Sequence, residues 1–272
     1  MTRSFHQIAC GSDMLAATLD SATNPTALLI VSGGNEIRSG AHGGMSRLAA
    51  RIADHGFPVL RYDRRGIGES TGQNRGFLGS VAEIAIATEF LRQQQNIQNI
   101  IAFGNCDAAT ALALFGPDAG IDGYILANPW VIETTGSADS EEPKISAAAI
   151  RARYWDRIRN PGTILDLLSG KINVRKLIKG LQKASRSEQI GALSLQLRDA
   201  LSGINGDTLI LLARRDTTAR AFLAAWNSAD FKSLHRNAAI TVAPLDSASH
   251  SFADIEARTW LTEKLLETLR AA

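Results

Sequence analysis

The sequence predicts an α/β protein: a doubly wound, mostly parallel sheet with a helical cap insertion. Three observations predict it. Short apolar runs alternate with stretches of helical spacing over residues 27–129. The rhythm stops over 130–206, where helical segments follow one another without a strand-like run. It resumes at 207 and continues to the end of the chain. The core is therefore assigned to 1–129 and 207–272, and the cap to 130–206.

Each element has its own reason. Two apolar segments flank Gly11-Ser12-Asp13 and read as an antiparallel hairpin at a sheet edge. Residues 27–31 form an unbroken apolar run, the signature of a strand buried on both faces, and Ser32-Gly33-Gly34-Asn35 follows at once. The spacing predicts a helix over 39–55, closed by Gly56. A strand over 58–62 runs into Asp63-Arg64-Arg65-Gly66-Ile67-Gly68-Glu69-Ser70, whose charged residues are read as loop ties. A helix over 79–94 precedes the apolar run 100–103, and a further strand lies within 121–129. Cap helices are expected over 146–158, 161–168, 174–184 and 187–201. Strands over 208–213 and 239–242 and an amphipathic helix over 254–269 complete the pattern.

Composition narrows the function. With 272 residues, 45% of them hydrophobic, the chain is long enough for a large core. Cys10 and Cys106 are its only cysteines, too few for a disulfide framework, and a reducing compartment is the simpler reading. The N-terminus lacks the apolar centre of a signal peptide, and no apolar run approaches the roughly 20 residues of a spanning helix. A cytoplasmic protein without a transmembrane segment is expected. No metal-ligand spacing or cofactor motif stands out, so neither metal nor cofactor is expected. Residues 144–198 carry 12 Lys and Arg against 3 Asp and Glu, within a chain whose net charge is +2. A basic lid would steer an anionic or carrier-bound acyl substrate, with Arg153 and Arg157 on one helical face as its contacts. The bland alternative is a solvated surface. The cap holds only Tyr154 and Trp155 as tyrosine or tryptophan near its basic stretch and shows no nucleic-acid motif, so nucleic acid is not expected as a partner.

The chemistry centres on Gly104-Asn105-Cys106-Asp107-Ala108, between an apolar run and an Ala-rich segment of high helix propensity. This is small-x-nucleophile-x-small, a sharp strand-to-helix turn in which the residues two before and two after the nucleophile crowd each other. The turn sets Cys106 at a helix N-terminus, which favours a thiolate. The Asp107 N–H is then free to bind an oxyanion, with Gly34 and Asn35 supplying the second donor. Asp216 and His250 each follow a strand, at the carboxyl edge where open α/β sheets carry their sites. In order, Cys106, Asp216 and His250 have the residue types of nucleophile, acid and base. Asp246 and Glu133 compete for the acid position, while His235 follows a helix and is a weaker base candidate. The Asp107 side chain either opposes the thiolate or turns away to cap the helix.

These motifs resemble the α/β-hydrolases, with Cys for their usual Ser. Within them the chain is similar to the exosortase A system-associated hydrolases, type 1. The likeness rests on Ser32-Gly33-Gly34-Asn35, the loop Tyr62 to Ser70, the turn around Cys106 and the ending with His250. It implies a sheet of the α/β-hydrolase type and a bacterial protein encoded near protein-sorting and exopolysaccharide machinery. It implies an acyl-enzyme hydrolase of thioesters, esters or lactones, but no particular substrate. An acyltransferase using the same intermediate and a non-catalytic binding protein are the alternatives.

Overall fold

The computed structural model describes residues 2–132 and 191–272. A hairpin opens the chain, β1 (Thr2–Cys10) and β2 (Asp13–Ser21), closed by a two-residue turn in which Gly11 takes φ 63°. Then come β3 (Thr26–Val31), α1 (Gly44–Asp54), β4 (Val59–Tyr62) and α2 (Val81–Arg92). They are followed by β5 (Asn99–Asn105), α3 (Asp107–Phe115) and β6 (Gly123–Ala127). After the undescribed stretch come α4 (Ala192–Gly203), β7 (Thr208–Ala213), α5 (Thr217–Trp226), β8 (Ile240–Leu245) and α6 (Ile255–Ala271). The expected cap therefore lies largely outside the described residues, with only its last helix, α4, inside.

The eight strands form one sheet in the order β1-β2-β4-β3-β5-β6-β7-β8. β2 runs antiparallel to both neighbours, and the six strands from β4 to β8 are parallel. Their residues alternate between two cores, which is why the strands read as unbroken apolar runs. Leu28, Ile30, Ile101 and Phe103 pack against Leu48 and Ile52 of α1 and Leu261 and Leu265 of α6. Leu29, Val31 and Ala102 face the opposite way, with Ile84 of α2, Leu112 of α3, Leu197 of α4 and Phe222 of α5. Helices thus cover both faces, and the doubly wound parallel sheet is as expected.

One helix begins later than its spacing suggests. The stretch expected as helix from 39 enters α1 only at Gly44, after a distorted 3-10 turn over Ala41–Gly43, because Gly40, His42 and Gly43 all have positive φ. Gly40 is tightly constrained, since a Cβ there would stand 2.6 Å from the Met45 side chain. Ser32 to Gly43 is consequently a long irregular loop at the carboxyl edge of the sheet.

Candidate active site

The turn around Cys106 is sharp because β5 ends and α3 begins with one residue between them. Cys106 has φ 63° and ψ −126°, a conformation costly for any side chain. Its surroundings hold it there. The Cys106 N–H donates to the Ala127 carbonyl at 2.9 Å, and its own carbonyl accepts from Ala109 and Trp130, each at 3.2 Å. Gly104 has to be small, since a Cβ would lie 2.8 Å from the Ala108 carbonyl carbon.

His250 lies in the loop between β8 and α6. Its Nδ1 donates to Asp216 Oδ2 at 3.1 Å, and the ring interacts electrostatically with the Cys106 thiol. Asp216 is the N-cap of α5, and the same Oδ2 accepts from the N–H groups of Thr218 (2.9 Å) and Ala219 (3.0 Å). The hydrogen bond to Asp216 and then the interaction with Cys106 push the His250 imidazole up to about 10, against the opposing effect of burial. Burial pushes Asp216 up, but the His250 bond and the two helix N–H groups outweigh it and leave its carboxyl below the usual range. His250 thus interacts with both Asp216 and Cys106, an arrangement that suits nucleophilic attack with an imidazole as proton carrier.

The loop after β3 also approaches the turn, in a way the sequence does not show. Gly34 donates its N–H to Asp107 Oδ1 at 2.7 Å. That amide, expected as an oxyanion donor, is taken by a side chain. Among the described residues, the N–H groups of Asn35 and Asp107 have no hydrogen-bond partner. Asp107 neither turns away nor caps the helix; it ties the loop to the turn. Gly33 makes this approach possible, since a Cβ there would stand 2.5 Å from the Asn105 carbonyl and 2.8 Å from Asp107 Oδ1. Arg64 closes the knot: it donates from Nη2 to the Gly34 carbonyl, and the same nitrogen lies 3.8 Å from Asp107 Oδ2. Its side chain is 4% exposed, and its Nε and Nη1 have no hydrogen-bond partner among the described residues.

The rival residues lie elsewhere. Asp246 is exposed and pairs with Arg215 at 3.3 Å, away from the imidazole. His235 stacks on Trp226 and bonds its carbonyl at 2.9 Å. Glu133, Arg153 and Arg157 lie outside the described residues. Asp63 and Arg65 are structural ties, as expected. Asp63 accepts from Arg38 and from the Glu69 N–H, and Arg65 donates to Glu83 at 2.8 Å. Three residues with a stake in the site carried no local signal: Arg64, Asn105 and Asn128. Their partners are distant in sequence.

A strained strand-to-helix turn carrying a thiol, with an imidazole and a carboxylate on later loops of a doubly wound sheet, matches the architecture of the α/β-hydrolases. Residues 23–218 match the model of the hydrolase family described as serine aminopeptidase, S33, and the chain belongs to that family. Cys106 stands where the family's description leads one to expect serine. The fold is similar to that of an esterase from Pyrococcus furiosus, with a TM-score of 0.64 and 14% identity over 99% of this chain and 90% of that one. It is similar to a thioesterase domain from the curacin biosynthetic pathway, with a TM-score of 0.58 and 13% identity over 98% of this chain and all of that one. An esterase from Exiguobacterium antarcticum gives a TM-score of 0.58 and 15% identity over 98% and 99% of the two chains. No curated protein matches the sequence. No helix among the described residues is long and apolar enough to cross a membrane.

Proposed function

We propose that the protein is a cysteine hydrolase that opens acyl thioesters or esters, lactones included, through an acyl-Cys106 intermediate. The interaction of the Cys106 thiol with His250, itself held by Asp216, carries this reading. The Cys106 thiolate attacks the acyl carbon, and the carbonyl electron pair moves onto oxygen. The Asp107 N–H, with that of Asn35, receives the oxyanion. The tetrahedral adduct collapses, expelling the thiol or alcohol with the proton of His250. Water then gives a proton to His250 and attacks the acyl-enzyme. Collapse frees the carboxylic acid and restores the thiolate and imidazolium.

The esterase and thioesterase named among the fold's relatives support an acyl substrate. The basic segment 144–198 supports an anionic or carrier-bound donor, contacted by Arg153 and Arg157. A link to exosortase or exopolysaccharide systems rests on the motif resemblance alone.

The test is a panel of p-nitrophenyl ester, acyl-CoA, acyl-carrier and lactone substrates, quenched in acid and read by intact-protein mass spectrometry. An acyl adduct on Cys106 is expected, with turnover falling at least ~10³-fold in Cys106→Ala and in His250→Ala, and little further in the double variant. Turnover that survives Cys106→Ala would refute the mechanism. Adduct transfer to an added alcohol or amine in preference to water would make the protein an acyltransferase. No adduct and no turnover across the panel would favour a binding protein.

A further inference from the structure

One buried, fully hydrogen-bonded polar group beside the site is left unused by the mechanism. Asn128 follows β6, is fully buried and takes φ 42°, a left-handed conformation that asparagine adopts more readily than most residues. Its backbone N–H donates to the Leu211 carbonyl at 2.8 Å. Its side-chain oxygen accepts the Ala213 N–H at 2.9 Å, three residues before Asp216. Its Nδ2 donates twice, to Asn105 Oδ1 at 3.1 Å and to the His250 carbonyl at 3.0 Å. Asn105 Nδ2 donates to that same carbonyl at 3.1 Å.

The direction of this network is fixed by chemistry. A backbone N–H can only donate, so the Asn128 oxygen must face Ala213 and its NH2 must face Asn105 and His250. Asn105 then presents its oxygen to Asn128 and its NH2 to His250. Two amide groups converge on one backbone carbonyl, that of the proposed base. One belongs to the residue before the nucleophile. The other is tied to the strand end that leads to the acid.

From this convergence we infer that Asn105 and Asn128 are positioning residues, an amide clamp that holds His250 in register with Cys106 and Asp216. The inference rests on the proposed Cys106–His250 pair. A ring that must meet a carboxylate on one side and a sulfur on the other tolerates little drift of its backbone, and drift of about 1 Å in such an array is costly in rate. Other ties of the loop fall on residues flanking His250, among them the Ser249 carbonyl, which accepts from Phe252 at 3.1 Å, and the Ser247 carbonyl, which accepts from Arg215 at 2.9 Å. The clamp acts at His250 itself.

The experiment reads Cys106 alkylation by iodoacetamide across pH, resolved from Cys10 by mass spectrometry, together with Tm. It compares the full chain with Asn105→Ala, Asn128→Asp, His250→Ala and Asn105→Ala/His250→Ala. Asn105 is half-buried, and its loss leaves the Asn128 bond to His250, so Asn105→Ala should keep Tm within a few degrees. Its alkylation at neutral pH should fall about 3- to 10-fold, with the profile displaced to higher pH. Asn128→Asp keeps the acceptor for Ala213 but removes both donors, and its loss should be larger. Should Asn128→Asp fail to fold, Asn105→Ala still decides the matter. In the His250→Ala background the Asn105→Ala change should have no further effect, because the clamp works only through His250. An equal effect in both backgrounds would make Asn105 merely structural and overturn the inference. So would an unchanged profile in Asn105→Ala while His250→Ala is slow. If His250→Ala alone leaves Cys106 unchanged, the Cys106–His250 pair itself fails, and the clamp falls with it.

Discussion

Asp107→Ala should destabilise the protein far more than a substitution at the first position of a helix ordinarily does. The carboxylate accepts from Gly34 at 2.7 Å, and losing a charge-assisted bond of this kind costs about 1.5 kcal/mol. Arg64 adds a second cost. It is 4% exposed, has two nitrogens without a hydrogen-bond partner among the described residues and lies 3.8 Å from Asp107 Oδ2. At an effective dielectric of about 20 that separation corresponds to about 4 kcal/mol of attraction. Asp107 is 16% exposed, and we take about half of this, ~2 kcal/mol, as the coupling. Asp107→Ala should therefore cost about 3 kcal/mol, much of it from an uncompensated guanidinium. Arg64→Met should cost about 2 kcal/mol. The double variant should lose about 3 kcal/mol, less than the two singles together. Urea unfolding of the four proteins, at constant m, measures the cycle. Additive losses would refute the argument that the two charges compensate each other behind the nucleophile.

Gly104→Ala should lose at least about 2 kcal/mol or fail to fold, because its Cβ would meet backbone atoms of Ala108 and Ala109 within 2.9 Å. Gly120→Ala, at φ 74° in open space, should lose only about 1 kcal/mol by the same urea assay. The raised His250 imidazole contributes stability that is complete below about pH 6.5 and is lost as pH rises through about 10. Because the ring is 39% exposed, that contribution is about 1 kcal/mol. The gap in urea midpoint between the wild type and His250→Gln should accordingly be widest near pH 6 and narrow by pH 10.5. Reversing Arg153 and Arg157 to Glu should lower kcat/KM about tenfold for an anionic acyl donor and leave a small neutral ester unchanged. The salt dependence should flatten in the same variant, whereas equal responses of both substrates would remove these residues from recognition.

The parallel strands were legible because burial on both faces leaves unbroken apolar runs, as in residues 27–31 and 208–213. Asp216 was legible as an acid at a strand end, and the structure adds that it caps α5. The start of α1 differs from the expected helix because only the segment from Gly44 carries the apolar face of Leu48, Ile52 and Ala53, while Gly40, His42 and Gly43 turn the backbone left-handed. The fate of Asp107 lay beyond any local pattern. Its partners are Gly34 and Arg64, 73 and 43 positions away in the chain, brought together only when β3, β4 and β5 align. The same holds for Asn105 and Asn128, whose common acceptor lies more than 120 positions downstream. Motifs expose residues whose role is local; a hydrogen bond across the sheet leaves no such mark.

The origin of the His250 shift gives the two half-reactions different proton demands. Asp216 is the first cause and Cys106 the second, with burial opposing both. In the free enzyme the imidazole therefore holds its proton, as a group that must protonate a departing thiolate or alkoxide should. Acylation converts Cys106 into a neutral thioester and removes its share of the stabilisation. Asp216 and burial then oppose each other, and the imidazole becomes the stronger candidate to accept a proton from water. In the proposed mechanism one residue would thus serve as acid and then as base without moving. The expected consequence is that deacylation sets in at a lower pH than the upper limb of the alkylation profile of the free thiol, where the imidazolium paired with Cys106 loses its proton. Acyl-Cys106 formed with a p-nitrophenyl ester, separated from excess substrate and followed by mass spectrometry across pH, reports the first. Iodoacetamide labelling reports the second. Coincident profiles would mean that Asp216 alone sets the protonation of His250, and that Cys106 does not govern when the imidazole changes role.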